Sequence, residues 1–127
     1  MRAARRDRQH LSRPALRTFF RIAELWGLSL REQMTLLGSI NPSTLRRWRR
    51  EGCSALAHDT LERISYILGI YKALQILLPN ASAADGWVRK PNLAPLFSGR
   101  SALDRMLAGQ VSDLFVVRQY LDAQRGG

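Results

Sequence analysis

Apolar residues recur at the three-to-four-residue spacing of an amphipathic helix along most of this 127-residue sequence. The clearest examples are residues 14–26, 59–78 and 111–124. Glycines and prolines separate these segments, and no segment has the strict alternation that is typical of a strand. The sequence therefore predicts an all-α fold, built as one compact domain or as two small helical lobes.

Residues 41–50 have the pattern of a short basic helix with a clearly marked start. Asn41 is a favourable N-cap, and Pro42 follows at the first helical position, where the missing N–H costs nothing. At about 100° per residue, Leu45 and Trp48 fall on one side of this helix. The opposite side carries Ser43, Arg46, Arg47 and Arg50.

Another helix is expected just before the basic one. Ser29 and Glu32 have the spacing of a capping box, and Gly38 ends the segment. A tight connection then leads to Asn41, which gives the helix–turn–helix order of DNA-binding motifs. We therefore expect residues 14–58 to form a DNA-binding lobe. The expected DNA-binding residues are Ser43, Thr44, Arg46, Arg47 and Arg50.

The positive charge lies mostly in the first half of the sequence. Up to His58 there are 12 arginines against four acidic residues, whereas the remainder has eight basic against six acidic residues. A formal net charge of +10 favours a polyanionic partner. Residues 1–13 are basic and lack periodicity, which predicts a disordered arm. Because such an arm also suits RNA, an RNA partner stays open as an alternative to DNA.

A long helix is predicted within residues 59–79, with Asp59 as its N-cap. Apolar side chains cover so much of its circumference that it requires burial on two sides. We expect this helix to connect two lobes and to offer a seam for a homodimer. The second lobe is expected at residues 80–127, where Ser101 and Asp104 form another helix-start pattern.

The sequence lacks the residue patterns of catalysis and metal binding. Cys53 is the single cysteine, so a disulfide within the chain is impossible, and a reducing, cytoplasmic setting fits. His10 and His58 are isolated, and no catalytic triad, phosphate-binding loop or metal-ligand spacing is present. No apolar segment is long enough to span a bilayer. We expect no enzymatic activity, no cofactor and no metal.

A set of spaced residues in the last third of the sequence carries a family resemblance. In chain order these are Trp87, Val88, Pro91, Asn92, Phe97, Gly99, Arg100, Ser101, Asp104, Gly109, Val117, Arg118, Tyr120, Leu121, Arg125 and Gly126. They resemble the toxin-binding domain of Xre/MbcA/ParS antitoxins, and residues 36–48 resemble the helix-turn-helix part of the same family. The family usually has glycine at the position of Ser98 and proline at the position of Ala102.

The resemblance implies a bacterial type II antitoxin whose partner is a RES-domain toxin, an enzyme that consumes NAD. It implies that the C-terminal lobe covers the toxin's active site, while the first lobe binds operator DNA in the operon's own promoter. A homodimer within a toxin–antitoxin hetero-oligomer is expected. The implied toxin-binding residues are Trp87, Pro91, Asn92, Phe97, Gly99, Arg100, Asp104, Arg118, Tyr120, Leu121, Arg125 and Gly126.

Two points stay open in the sequence. The chain could instead be a stand-alone helix-turn-helix regulator whose C-terminal lobe only dimerises. Trp87 and Tyr120 suit either an interface, where aromatic residues often dominate the binding energy, or the packing of a small lobe.

Overall fold

The computed structural model describes the backbone of residues 2–126 and the side chains of residues 8–126. Over this range the chain forms seven α-helices and one turn of 3-10 helix. The described backbone contains no strand, and its one isolated β-bridge joins Pro91 to Ser101. The all-α prediction is confirmed. No described helix is long and apolar enough to cross a membrane.

The chain divides into two compact units, Met1–Ser65 and Tyr66–Gly127. The division falls within a long helix, so that this helix contributes its first residues to one unit and its remainder to the other. The first unit contains α1 (Arg2–Trp26), α2 (Leu30–Leu36), α3 (Pro42–Glu51) and the beginning of α4 (His58–Leu77). The second contains the rest of α4, α5 (Ala81–Gly86), the 3-10 turn Trp87–Arg89, α6 (Ala102–Met106) and α7 (Val111–Gln124).

In the first unit, α1 and α2 both pack on α3. Burial of a large apolar side chain stabilises a fold by about 1.5–3 kcal/mol relative to its exposure, so the apolar stripes of these helices hold them together. The largest buried side chains are Leu16, Phe19, Ile22, Trp26, Leu36, Leu37, Leu45, Leu56 and Ile64.

The sequence predicts a disordered arm at residues 1–13, whereas the described backbone continues α1 back to Arg2. Ser12 gives the physical reason, because its side chain is fully buried. Its hydroxyl accepts a hydrogen bond from the Leu56 N–H at 2.9 Å and donates to the Arg8 carbonyl. These two hydrogen bonds tie residues 8–12 of α1 to Leu56, at a position where the sequence has no apolar periodicity. Met1 lies outside the described residues.

The predicted helix starts around the tight turn are confirmed. The Asn41 side chain accepts a hydrogen bond from the Thr44 N–H, and Pro42 is the first residue of α3. Ser29 and Glu32 form a complete capping box at α2. Gly38 adopts a φ of +105° in the turn between the two helices, a conformation that L side chains rarely adopt.

The start of α4 differs from the sequence prediction. The helix begins at His58, so Asp59 lies inside the first turn instead of capping it. Its carboxylate accepts a hydrogen bond from the Nε of Arg63 at 2.9 Å. An acidic residue in the first turn also interacts favourably with the helix dipole, so Asp59 still stabilises this end.

The second unit is a set of short helices around a small core, in which α6 packs on α7 and on the 3-10 turn. Asn80 caps α5 through the Ala83 N–H, and Ser101 with Asp104 forms the predicted capping box of α6. Phe115 of α7 is 44% exposed. The largest buried side chains are Ile67, Ile70, Leu74, Val88, Phe97, Leu103, Met106, Leu114, Val117 and Leu121.

Candidate functional site

The two sides of α3 have different environments, as the sequence pattern predicts. Leu45 is buried and Trp48 is half-buried, so this side holds the helix in the first unit. On the other side, Arg46 and Arg47 are exposed and have no hydrogen-bond or ion-pair partner among the described residues. Their guanidinium groups are therefore available to an external anion.

The remaining predicted DNA-binding residues are partly engaged. The Ser43 hydroxyl donates to the Asn41 side-chain oxygen at 2.8 Å, and Thr44 is half-buried beside the same cap. Arg50 lies 3.3 Å from the carboxylate of Glu51, and both side chains are more than half exposed. Exposed pairs of this kind contribute only about 0–1 kcal/mol, so Arg50 can exchange Glu51 for another anion.

Arg49 anchors α3 to both of its neighbouring helices, a role that the sequence pattern did not indicate. Its guanidinium donates to the side-chain oxygen of Gln33 and lies over the ring of Phe20, 5.0 Å from the centroid. Gln33 in turn donates to the Leu28 carbonyl at 3.0 Å. These contacts fix the orientation of α3, and with it the direction of its exposed arginines.

An aromatic cluster joins three parts of the second unit. Phe97 makes edge contacts with Trp87 and Tyr120, at centroid separations of 5.9 and 5.2 Å. Trp87 and Tyr120 are stacked at 6.5 Å. Phe97 is buried, whereas the other two rings are half-buried. Trp87 and Tyr120 therefore pack the lobe and still present part of their surface to solvent.

The loop between the 3-10 turn and α6 is closed at its base by backbone hydrogen bonds. The Asn92 N–H donates to the Arg100 carbonyl at 3.0 Å, and the Gly99 N–H donates to the Asn92 carbonyl at 2.8 Å. The Asn92 side chain also accepts from the Ala94 N–H. Leu93 projects from this braced loop and is 92% exposed. The sequence pattern missed Leu93, because a single apolar residue in a loop gives no periodic signal.

Ser98 has a φ of +52°, followed by Gly99 at +83°. This conformation explains in physical terms why glycine suits the position of Ser98, since a side chain in the left-handed region is strained. The Ser98 hydroxyl donates to the Pro95 carbonyl at 3.2 Å. Ala102, at the first position of α6, is fully buried.

Arg118 on α7 and Arg125, the residue after that helix, both lie near the carboxylate of Asp122. The Nε of Arg118 lies 3.7 Å from Asp122, and Nη1 of Arg125 lies 3.8 Å from the same carboxylate. Arg118 also crosses α4 at Gly69, where an added methyl group would fall 2.5 Å from its Nε. The position of Arg118 thus depends on a glycine distant in sequence.

Comparison with known families follows the same division of the chain. A family model of the antitoxin Xre-like helix-turn-helix domain matches residues 2–69, more than half of the chain. A model of the antitoxin Xre/MbcA/ParS C-terminal toxin-binding domain matches residues 73–127. The chain belongs to this antitoxin family. The antitoxin is also similar to the protein described as "Uncharacterized protein y4oB" of Sinorhizobium fredii, at 54% identity over 112 residues, covering 88% of this chain and 84% of that protein.

The implied toxin-binding residues of the antitoxin fall into three groups by exposure. Phe97 and Leu121 are 3% and 2% exposed, so their side chains pack in the core of the lobe. Four are half-buried: Trp87, Asn92, Arg118 and Tyr120. Six are exposed: Pro91, Gly99, Arg100, Asp104, Arg125 and Gly126.

The described part of the antitoxin holds no group of three or more His, Cys, Asp or Glu side chains that could bind a metal ion. Cys53 is half-buried and forms no disulfide within the chain.

Proposed function

We propose that this antitoxin neutralises a RES-domain toxin that consumes NAD, by covering the toxin's active site with its C-terminal lobe, residues 80–127. We also propose that residues 14–58 bind operator DNA in the promoter of the operon and repress it. The observation that carries the proposal is the match of one chain to both antitoxin domains. Such a chain has two binding partners, the toxin and DNA.

The exposed parts of the C-terminal lobe support the first half of this proposal. Trp87 and Tyr120 present aromatic surface, and Leu93 projects from a braced loop nearby in sequence. Aromatic residues and arginine carry much of the binding energy at protein interfaces. The half-buried Arg118 and the exposed Arg125 add positive charge, which suits contact with acidic groups in the catalytic cleft of the toxin.

The geometry of α3 supports the second half. Arg46 and Arg47 have no described partner, and α3 itself is held in place by the Arg49 contacts. An arginine fork can bind guanine edges or phosphates through two parallel hydrogen bonds. We propose that Ser43, Thr44 and Arg50 contact the same DNA.

We further propose that the antitoxin is a homodimer within the toxin–antitoxin complex and that α4 takes part in the dimer contact. Ile76 of α4 is 59% exposed, which leaves apolar surface for a partner helix. A two-fold dimer would match a palindromic operator, because each copy then binds an equivalent half-site.

Co-expression of the antitoxin with the RES-domain toxin that we propose as its partner tests the toxin half. We expect the full chain to restore growth and the cellular NAD level. The double variant Arg46→Ala, Arg47→Ala should rescue equally well but fail to shift promoter DNA in a gel. Promoter binding without any rescue of NAD would favour the alternative, a stand-alone regulator whose C-terminal lobe only dimerises.

A further inference from the structure

A groove of about 340 Å³ lies between α1 and the C-terminal end of α3, within the first unit. We call it the α1–α3 groove. Its lining contains four arginines and one acidic residue. Two aromatic side chains and a leucine form most of the remaining wall. The lining residues are Arg13, Leu16, Arg17, Phe20, Trp48, Arg49, Arg50, Glu51 and Gly52. The groove thus carries a formal charge of +3.

The arginines of the α1–α3 groove differ in how they are held. Arg13 donates from Nη1 to the Glu51 carbonyl at 2.9 Å, which fixes its guanidinium at the end of α3. Gly52, at a φ of +75°, leaves the space for it, because an added Cβ would lie 3.0 Å from Nη1. Arg17 is exposed and has no hydrogen-bond or ion-pair partner among the described residues. The guanidinium of Arg13 is therefore held in position, whereas that of Arg17 is available to a ligand.

The position of the groove indicates its occupant. Arg50 both lines the α1–α3 groove and belongs to the exposed side of α3, so the groove continues the surface that carries Arg46 and Arg47. When a helix lies in the major groove of DNA, the phosphates of the bordering strands come close to its ends and to neighbouring helices. Arginine forks bind phosphate oxygens through paired hydrogen bonds.

We propose that the α1–α3 groove binds a backbone phosphate of the DNA that α3 contacts, through Arg13, Arg17 and Arg50. This inference rests on the proposed DNA binding and assigns it a second contact surface on α1. The apolar floor formed by Leu16 and Phe20 suits the sugar attached to that phosphate. The groove contact fixes the register of the protein on the duplex and carries no sequence information itself.

The test measures the dissociation constant of the full-length antitoxin by fluorescence anisotropy across a salt series. The probes are a duplex from the region upstream of the gene and a scrambled duplex of equal length. The variants are Arg17→Ala, the charge-retaining Arg17→Lys, and Arg21→Ala as the matched control. Arg21 is exposed on the next turn of α1 and lies outside the groove lining.

We expect Arg17→Ala to weaken binding of both duplexes several-fold by the same factor. The slope of log affinity against log salt should fall by about 0.9, the value for one phosphate contact. Arg17→Lys should keep most of that slope, and Arg21→Ala should match the parent. In contrast, the double variant Arg46→Ala, Arg47→Ala should lose its preference for the upstream duplex.

The outcomes separate this inference from the proposed function. If Arg17→Ala binds both duplexes like the parent while the double variant loses its preference, the groove contact is overturned and the DNA-binding α3 stands. A loss confined to the upstream duplex would also overturn it, because a phosphate contact acts on both sequences. If the parent binds neither duplex at low salt, the groove contact and the proposed DNA binding fail together.

Discussion

The guanidinium of Arg118 lies directly against the backbone of Gly69. A methyl group added at Gly69 would fall 2.5 Å from the Nε of Arg118 and 2.8 Å from its Cδ, distances that real Cβ atoms essentially never show. Arg118 on α7 therefore crosses α4 at a glycine, which has no side chain and so leaves room for the guanidinium. Because Arg118 is a proposed toxin-binding residue, Gly69 acts as a positioning residue for that contact.

We predict that Gly69→Ala shifts Arg118 and weakens toxin inhibition about tenfold, an effect typical of a misplaced interface arginine. Stability should change by less than about 1 kcal/mol, because alanine favours the helix while the flexible Arg118 side chain moves aside. Titration of toxin activity and urea unfolding measure the two effects.

Gly86→Ala is the matched control for this change, since an added Cβ there meets nothing within 4 Å. It should inhibit like the parent. In an Arg118→Ala background, Gly69→Ala should cause no further loss of inhibition. A further loss of similar size in that background would show that Gly69 acts independently of Arg118.

Ser12→Ala tests whether the start of α1 is held in place. The substitution leaves the buried Leu56 N–H without its acceptor, and we expect a loss of about 1–3 kcal/mol in the free energy of unfolding. Thr18→Ala, which removes an exposed hydroxyl on the same helix, should cost less than about 0.5 kcal/mol. Equal urea midpoints for the two variants would support the disordered arm that the sequence predicts.

Asn41→Ala tests the start of α3. Loss of the side-chain cap on the Thr44 N–H should cost about 1 kcal/mol in the free energy of unfolding. Arg46→Ala and Arg47→Ala, on the exposed side of the same helix, should each change it by less than about 0.5 kcal/mol. Chemical unfolding measures the stability of the three variants. An Asn41→Ala protein as stable as the arginine variants would contradict the capping role.

Leu93→Asp tests the projecting loop residue. Leu93 is 92% exposed, so a charge there should leave the fold intact while removing the apolar contact that we propose with the toxin. We expect inhibition at least about tenfold weaker. Leu11→Asp is the control, because Leu11 is 54% exposed in the first unit. Similar inhibition by the two variants would remove Leu93 from the toxin interface.

The sequence predicted those features that depend on neighbouring residues. The caps at Ser29, Asn41 and Ser101 follow from side chains that bond to backbone N–H groups three residues ahead, and all three are present. Helix type was also predictable, because a 3.6-residue period is a local pattern. The two sides of α3 follow from the same periodicity.

The features that the sequence did not predict depend on residues far apart in the chain. Ser12 bonds to a residue 44 positions away, and Arg13 bonds to one 38 positions away. No local pattern indicates such pairings, so the extension of α1 and the α1–α3 groove were missed. The spacing that includes Phe97 carries a family resemblance but no information on burial, so it does not distinguish a contact residue from a core residue.

The most direct measurement is NAD consumption by the purified RES-domain toxin proposed as the partner, with increasing amounts of purified antitoxin. If the C-terminal lobe covers the active site, the rate of NAD consumption falls to the background level once enough antitoxin is present to occupy every toxin molecule. Full toxin activity at saturating antitoxin would contradict the account.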